Sequence, residues 1–411
     1  ENLFDTHHDT LKNDNEFLPD AIRHWNYTKY KKKLADIARV ITAVGEWNPP
    51  ALVGLCEVEN DSVLRDLTQR SPLKELNYRY VMTNSPDLRG IDVALLYQRD
   101  LFKLISFHSI PIPSFKQHRP TRDLLHVSGL LLTGDTLDVI VCHLPSRSGG
   151  VKESEPYRLH AARILRTEAD SLLSIRLHPQ LIIMGDFNDY PTNKSVKEIL
   201  EATMPPNEAT TSSGSPSSTE PQPATTSPPP SKLCHLLARK AMSRNFGSYK
   251  YHGEWGLLDH LIVSGTLLDT SSSFFTKESK ANVARLPFLL TEDKKYGEER
   301  PAAHKAAEKG VRPVHAEGED GGGHGQHCPA ERDAVGKDEA FQIDARGDDE
   351  HSREHEIDGK GERGAETPCQ KAGRQAGQEL DERIPDMDVV TTAATYRDCH
   401  TPNEHLYMDS F

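Results

Sequence analysis

The run Leu181-Ile182-Ile183-Met184-Gly185-Asp186-Phe187-Asn188-Asp189 sets a carboxylate and a carboxamide two residues apart, directly after an apolar stretch. A carboxylate at such a point can hold a divalent metal or polarise a water, and a neutral amide can orient an oxygen. The pair therefore suits Mg²⁺-assisted phosphate chemistry, although by itself the run also fits a polar turn after a strand. Three further apolar runs end in a similar way. Leu52-Val53-Gly54-Leu55-Cys56-Glu57-Val58-Glu59-Asn60 closes on carboxylates. Leu137-Asp138-Val139-Ile140-Val141-Cys142-His143-Leu144-Pro145-Ser146-Arg147 delivers a histidine, and Leu257-Leu258-Asp259-His260-Leu261-Ile262-Val263 carries an Asp-His pair. Each group alone has a structural explanation, such as a solvated carboxylate or a satisfied core histidine. Four strand ends of this kind together point to a site.

The elements that must position these groups follow from periodicity. Four consecutive apolar residues before Gly185 fit a strand buried on both faces. Gly185 allows a tight backbone path at its end, and Asp186 and Asn188 then project from the C-terminal end, where sites of layered α/β folds lie. Residues 29–46 place Leu34, Ile37, Ala38, Ile41 and Val44 at helical spacing. A strand over 51–58, a short helix over 62–69, a stretch over 78–83 and a strand over 91–97 follow. Residues 124–132 and 137–144 read as a hairpin through Thr133-Gly134-Asp135-Thr136, and 154–175 as a long amphipathic helix. Strands that both alternate with helices and pair in hairpins predict mixed sheets in an α/β sandwich. His260 follows Asp259 on its strand and so points to the opposite face.

With these motifs in this order and spacing, the chain resembles the endonuclease/exonuclease/phosphatase superfamily, in its bacterial nuclease-like branch. The resemblance runs from Glu1 to about Arg300, apart from one insert. It implies a deoxyribonuclease I-like, four-layered α/β sandwich of two mixed β-sheets flanked by helices. It also implies hydrolysis of a phosphate ester with Mg²⁺ or Mn²⁺. Carried over by motif, Glu57 is the main metal-binding carboxylate and Asp259 assists it. Asp186 orients or activates the attacking water, Asn188 holds a phosphate oxygen or the metal, and His143 hydrogen-bonds the phosphate or leaving group. Arg122, in Pro120-Thr121-Arg122-Asp123, matches a phosphate-facing arginine. Arg89-Gly90-Ile91-Asp92 is characteristic of the branch and is given no role. The family's first strand carries an asparagine that would fall two residues before Glu1, and Glu1 matches the acidic position after it. Family members close on a Ser-Asp-His strand whose histidine is an acid/base or transition-state stabiliser. No Ser-Asp-His follows Arg300, and Arg397-Asp398-Cys399-His400 has the wrong spacing and no strand pattern around it.

Composition bounds the rest. Residues 301–411 carry 25 acidic and 13 basic side chains, so nearly all of the net charge of −13 lies there, and it says little about what the preceding domain binds. The one dense basic run, Lys29-Tyr30-Lys31-Lys32-Lys33, opens a helix and reads as an exposed helix face. The six cysteines show no metal-type spacing, and Cys56 and Cys142 read as small core residues. No transmembrane stretch is visible. Residues 205–231 are almost entirely Pro, Ser, Thr and Glu and are expected to be disordered. Residues 301–411 are expected to be a disordered acidic tail. The abrupt shift in composition leads to the expectation that the reading frame departs from the ancestral one near residues 297–300, with a natural regulatory tail as the rival reading. The domain is thus 1–300, expected to be monomeric. Its partner is nucleic acid or another phosphodiester. A sugar- or lipid-phosphate hydrolase of the same fold and a non-catalytic binding protein are the alternatives. The compartment stays open: cytoplasmic, or secreted with a leader removed.

Overall fold

Alternation along each strand decides which layer its side chains enter. In β1 (Leu52–Val58), Leu52 turns to one core while Val53 and Leu55 turn to another. In β3 (Asp92–Tyr97), Val93 and Leu95 face the first core and Ala94 and Leu96 the second. Both strands are buried on both faces, which is why they read as continuous apolar runs. Residues 2–46, 48–115, 119–207, 228–301 and 389–391 are described, in a computed structural model of the chain.

β1, β2 (Arg79–Met82) and β3 form an antiparallel set in the order β1-β3-β2. A second, six-stranded mixed sheet runs β4-β5-β6-β7-β11-β8. It comprises β4 (Phe102–Ile110), β5 (Leu124–Leu131), β6 (Thr136–His143), β7 (Gln180–Asp186), β8 (Leu233–His235) and β11 (Asp259–Ser264). Between them in the chain lies a small hairpin, β9 (Tyr249–Tyr251) with β10 (Glu254–Gly256). β12 (Leu290–Glu292) and β13 (Glu299–Pro301) form another. The two large sheets face each other over a core built by Leu52, Val93 and Leu95 from one and Val127, Val139, Val141, Ile182 and Met184 from the other. Burying each such side chain contributes roughly 1.5–3 kcal/mol.

Helices cover the outer faces. α1 (Tyr27–Gly45) and α2 (Asp61–Gln69) lay Leu34, Ile41, Leu64 and Leu67 on the smaller sheet. Each starts on an asparagine cap: Asn26 accepts from the Lys29 amide at 3.1 Å and Asn60 from the Val63 amide at 3.1 Å. α3 (Val151–Ile175) lays Ala161, Leu165, Ala169 and Leu172 on the larger sheet. The result is the expected four-layered sandwich. No described helix is long and apolar enough to cross a membrane.

Three details depart from the sequence reading. The basic run of α1 is not one exposed face: Lys32 is exposed and pairs with Asp36 at 2.6 Å, but Lys33 is buried. Consecutive helical residues lie about 100° apart and cannot share a face. β4 has no strand signal because it is an edge strand with one face in solvent, and it is broken by an irregularity between Leu104 and Ser106. β14 (Val389–Thr391) lies in the stretch read as a structureless tail, yet it pairs in parallel with Leu52–Gly54 on the side of β1 away from β3. Farther along β1, Leu3 makes a parallel bridge to Val58. An unpaired edge offers a row of backbone donors and acceptors, and a β-branched Val-Val-Thr segment suits it. Of the stretches expected to be disordered, Pro301 instead lies in β13 and residues 205–207 and 228–231 are described, while 208–227, 302–388 and 392–411 lie outside the described residues.

One backbone approach is tighter than the rest. Gly185 has φ +134°, and a Cβ there would lie 1.9 Å from the carbonyl oxygen of Cys142 on the neighbouring strand. The obstacle is backbone and cannot rotate away. Gly185→Ala is expected to destabilise the protein by about 2 kcal/mol or more, measured as a lower urea midpoint, with Asp186 displaced.

Candidate active site

Strand register builds the site. In the parallel pairing of β6 with β7, His143 stands opposite Asp186; in the antiparallel pairing of β7 with β11, Asp186 stands opposite Asp259. The three side chains form one row across adjacent strand ends. They share the face that Val141, Met184 and Val263 present to the inter-sheet core. All three are buried, and His143 Nε2 lies 3.6 Å from Asp186 Oδ2.

The turn after β7 fixes the carboxylate. The Asn188 amide N–H donates to Asp186 Oδ1 at 2.7 Å, an Asx turn closed by a residue with φ +53°. Asn188 Nδ2 donates to the Leu144 carbonyl at 2.9 Å, and the Leu144 N–H donates to the Asp186 carbonyl at 2.8 Å. The ends of β6 and β7 are thus joined beyond their ladder.

Glu57 comes from the opposite sheet. β1 bulges between Cys56 and Val58, and Glu57 is the extra residue, with φ +60°. A bulge re-aims a side chain that strict alternation would send elsewhere. The neighbouring Cys56 Sγ lies 3.5 Å from the Cys142 carbonyl, so the residues preceding Glu57 and His143 touch across the gap between sheets. Burial, together with the charges of Asp186 and Asp259, holds the Cys56 thiol well above its usual range, so it stays un-ionised.

The structure supplies a partner for the motif that lacked a role. Arg89 Nη1 lies 3.6 Å from Glu57 Oε1, and Arg89 Nη2 donates to Asn2 Oδ1 at 3.3 Å. Asp92, three residues on, accepts from the Thr83 hydroxyl at 2.6 Å, the Ser85 amide at 2.8 Å and the Ser85 hydroxyl. Ser85 Oγ in turn accepts from the Asp123 amide at 3.1 Å, beside Arg122. Arg122 itself is buried: it donates to Asp87 Oδ2 at 3.1 Å and to the Leu144 carbonyl at 2.8 Å, the same carbonyl that Asn188 uses. Glu1 lies outside the described residues. The second carboxylate of the β1 motif has other work. Glu59 accepts from the Asp5 amide at 2.6 Å. Burial, with the nearby charge of Asp5, pushes its pKa up to about 8.

Two groups that sequence reading passed over hold the β7 turn. Asp189, buried, meets Arg158 Nε of α3 at 2.8 Å and accepts from Ser195 Oγ at 2.6 Å. Arg147, from the His143 motif, donates to the Asn188 carbonyl at 2.6 Å. Behind them runs a chain of histidines with only one consistent neutral pattern. His235 Nδ1 accepts from the Leu237 amide at 3.1 Å, His235 Nε2 donates to His260 Nδ1 at 2.9 Å, and His260 Nε2 donates to the Asp189 carbonyl at 2.9 Å. His260 therefore serves the fold from the helix side of the sheet. Burial holds the pKa of His260 down to about 4 and pulls His235 down as well.

The donor set suits a hard divalent cation. Glu57, Asp186 and Asp259 offer carboxylate oxygens and Asn188 an amide, as Mg²⁺ or Mn²⁺ sites require. Two buried carboxylates directly opposite on neighbouring strands repel each other, and a cation relieves that repulsion.

A depressed histidine pKa means that the unfolded chain binds more protons between about pH 4 and 6.5, so stability is lost as pH falls through that window. His260→Gln, which keeps one acceptor and one donor, is expected to flatten this loss in urea unfolding measured from pH 7 to 4. Arg158→Met removes the nearer ion partner of buried Asp189, leaving only Arg147 Nη2 at 3.5 Å, and is expected to cost about 3 kcal/mol, read by the same method at neutral pH.

Several solved structures are similar at low identity. The human Nocturnin catalytic domain with bound sulfate is 19% identical, covering 57% of this chain and 74% of that one, with a TM-score of 0.39. A mannosyl-6-phosphatase of Bacteroides thetaiotaomicron is 16% identical over 57% and 76%, at 0.39. A truncated TDP2 of Caenorhabditis elegans is 13% identical over 59% and 80%, at 0.39. No curated protein matches the chain. The Endonuclease/Exonuclease/phosphatase family matches residues 1–213. That match spans more than half of the chain, over the strands that carry Glu57, His143, Asp186 and Asn188, and the chain belongs to this family.

Proposed function

We propose that the protein is a divalent-metal-dependent phosphodiester hydrolase, nuclease-like in substrate class. The observation that carries this reading is the register that lines up His143, Asp186 and Asp259 on one buried face, opposite the strand whose bulge presents Glu57. Glu57 and Asp259 are the residues that would hold Mg²⁺ or Mn²⁺, which supplies Lewis-acid polarisation of a phosphoryl oxygen when bound.

The chain's own groups do the rest. Asp186 has one oxygen tied to the Asn188 amide and the other turned toward His143. In this reading that carboxylate orients the attacking water and takes its proton as the oxygen adds to phosphorus. His143 donates to the phosphate or to the leaving oxygen, which takes the electron pair of the breaking bond to phosphorus and on which negative charge then grows. Asn188, its amide oriented by the Leu144 carbonyl, faces another phosphoryl oxygen. Arg122 is a positioning residue that acts through that same carbonyl. Arg89 steadies Glu57 in the same sense.

A second reading, a protein that binds metal and phosphate without turnover, is favoured by one feature: Ser-Asp-His does not occur in the sequence. One experiment separates the two. Plasmid DNA and a chromogenic phosphodiester are incubated with Mg²⁺ or Mn²⁺, with EDTA and with the Asp186→Ala variant alongside. The hydrolase reading expects metal-dependent cleavage, abolished by EDTA and reduced about 10²–10⁴-fold in the variant. Folded protein that binds Mg²⁺ by calorimetry, weakened by Glu57→Ala, but cleaves neither substrate overturns it in favour of the second.

A further inference from the structure

On the other face of the six-stranded sheet, away from the row of Asp186, a histidine of β4 and one of β5 stand directly opposite each other. They are His108 and His126, and their rings meet edge to face at 4.8 Å. α3 brings Glu168 over both. Its Oε1 lies 3.3 Å from His126 Nδ1 and 3.7 Å from His108 Nε2, and the three donor atoms all lie within 4.8 Å of one another. His126 is in register with Ile140 of β6, which faces α3, whereas His143 faces the opposite sheet. The cluster is thus separated from the candidate active site by the sheet itself.

We propose that His108, His126 and Glu168 form a transition-metal site, of the kind that takes Zn²⁺. Two imidazole nitrogens and one carboxylate oxygen are a familiar tetrahedral zinc donor set with a fourth position left for water. Tetrahedral bonds of about 2.0–2.1 Å put neighbouring donors about 3.3 Å apart. The His126–Glu168 edge already has that length. His108 is exposed on an edge strand and has the freedom to close the other two edges.

The support behind the cluster points the same way. His126 Nε2 meets Asp138 Oδ1 at 3.0 Å, and Asp138 accepts from Arg176 Nε and Nη2 at 2.8 Å each and from the Ser128 hydroxyl. Both Asp138 oxygens accept from Arg176, so His126 Nε2 is the donor to Asp138 and carries the ring proton, which leaves the Nδ1 lone pair directed at Glu168 and His108. A carboxylate behind a ligating histidine is the usual outer support of such sites. His126 Nδ1 is a buried nitrogen without a hydrogen-bond partner, which a metal would satisfy. A bound ion would pin the edge strand β4 to α3.

The test uses the full chain, stripped with EDTA, desalted and held in excess Mg²⁺ to occupy hard-cation sites, then titrated with Co²⁺. The expected result is one equivalent giving the visible bands of four-coordinate Co²⁺, displaced by Zn²⁺, with a rise in Tm. His108→Ala, an exposed position, and Glu168→Gln are each expected to weaken binding at least 10-fold and to remove those bands, while Asp186→Ala leaves them unchanged. Absence of four-coordinate bands in the unaltered protein overturns the proposal. So does Co²⁺ binding of equal affinity and spectrum in His108→Ala and Glu168→Gln, which would assign the metal to other histidines of the chain.

Discussion

The parallel neighbours β6 and β7 approach so closely at Cys142 and Gly185 that no side chain fits between their backbones. Nearly everything at the candidate active site depends on this approach. It fixes the register that sets His143 beside Asp186, and β11 extends the same row to Asp259. Because the row lies on the inter-sheet face, the position of the smaller sheet determines what stands opposite it. On β1 of that sheet Glu57 sits on a bulge rather than in regular alternation. Two local backbone irregularities, a glycine at φ +134° and a glutamate at φ +60°, thus carry the geometry of the site. Such conformations persist only where surrounding packing over-determines them.

That packing is partly polar. Asp189 gathers Arg158, Ser195 and, through its carbonyl, His260, so one buried carboxylate ties α3, the turn after β7 and the strand β11 together. A second network joins Asp92, Ser85 and the Asp123 amide, and the neighbouring Arg122 pairs with Asp87. Buried ion pairs of this kind contribute little net stability compared with apolar packing, but removing one partner is costly. Their effect is to select one arrangement of loops whose backbone would otherwise have several. The Leu144 carbonyl shows the consequence: it accepts from both Asn188 and Arg122, so the amide of the Asn188 turn and the guanidinium behind it are fixed by one atom.

The six-stranded sheet separates two chemistries by alternation alone. Residues at His143, Asp186 and Asp259 face the other sheet and form a set rich in oxygen donors. Residues at His108 and His126 face α3 and form a set rich in nitrogen donors. Carboxylate oxygens suit hard cations, and imidazole nitrogens suit borderline ones. Successive side chains of a strand point to opposite faces, so both sets coexist on neighbouring strands without sharing a ligand.

The layered fold was legible because strands buried on both faces read as apolar runs. Helices facing one sheet read at 3.6-residue spacing, and the turn Thr133–Thr136 marked its hairpin. The motif residues Glu57, His143, Asp186, Asn188 and Asp259 could be picked out because each ends such a run. Three things were not legible. β4 is an edge strand with a solvated face, so it lacks the alternation that marks buried strands. Val389–Thr391 is too short to carry a pattern and pairs only because β1 offers an open edge. The partners of Arg89, Arg122, Asp189 and His126 lie far away in the chain, and hydrogen bonds between distant residues leave no period to detect. The sequence by itself therefore determined the elements, their layering and the residue types at the strand ends, because local periodicity and residue chemistry suffice for these. Only the tertiary structure decided which of those residues meet, which carboxylate of the β1 motif lies on a bulge, and which face of the sheet holds each cluster. Those outcomes depend on register, on a bulge and on contacts between segments that are remote in sequence.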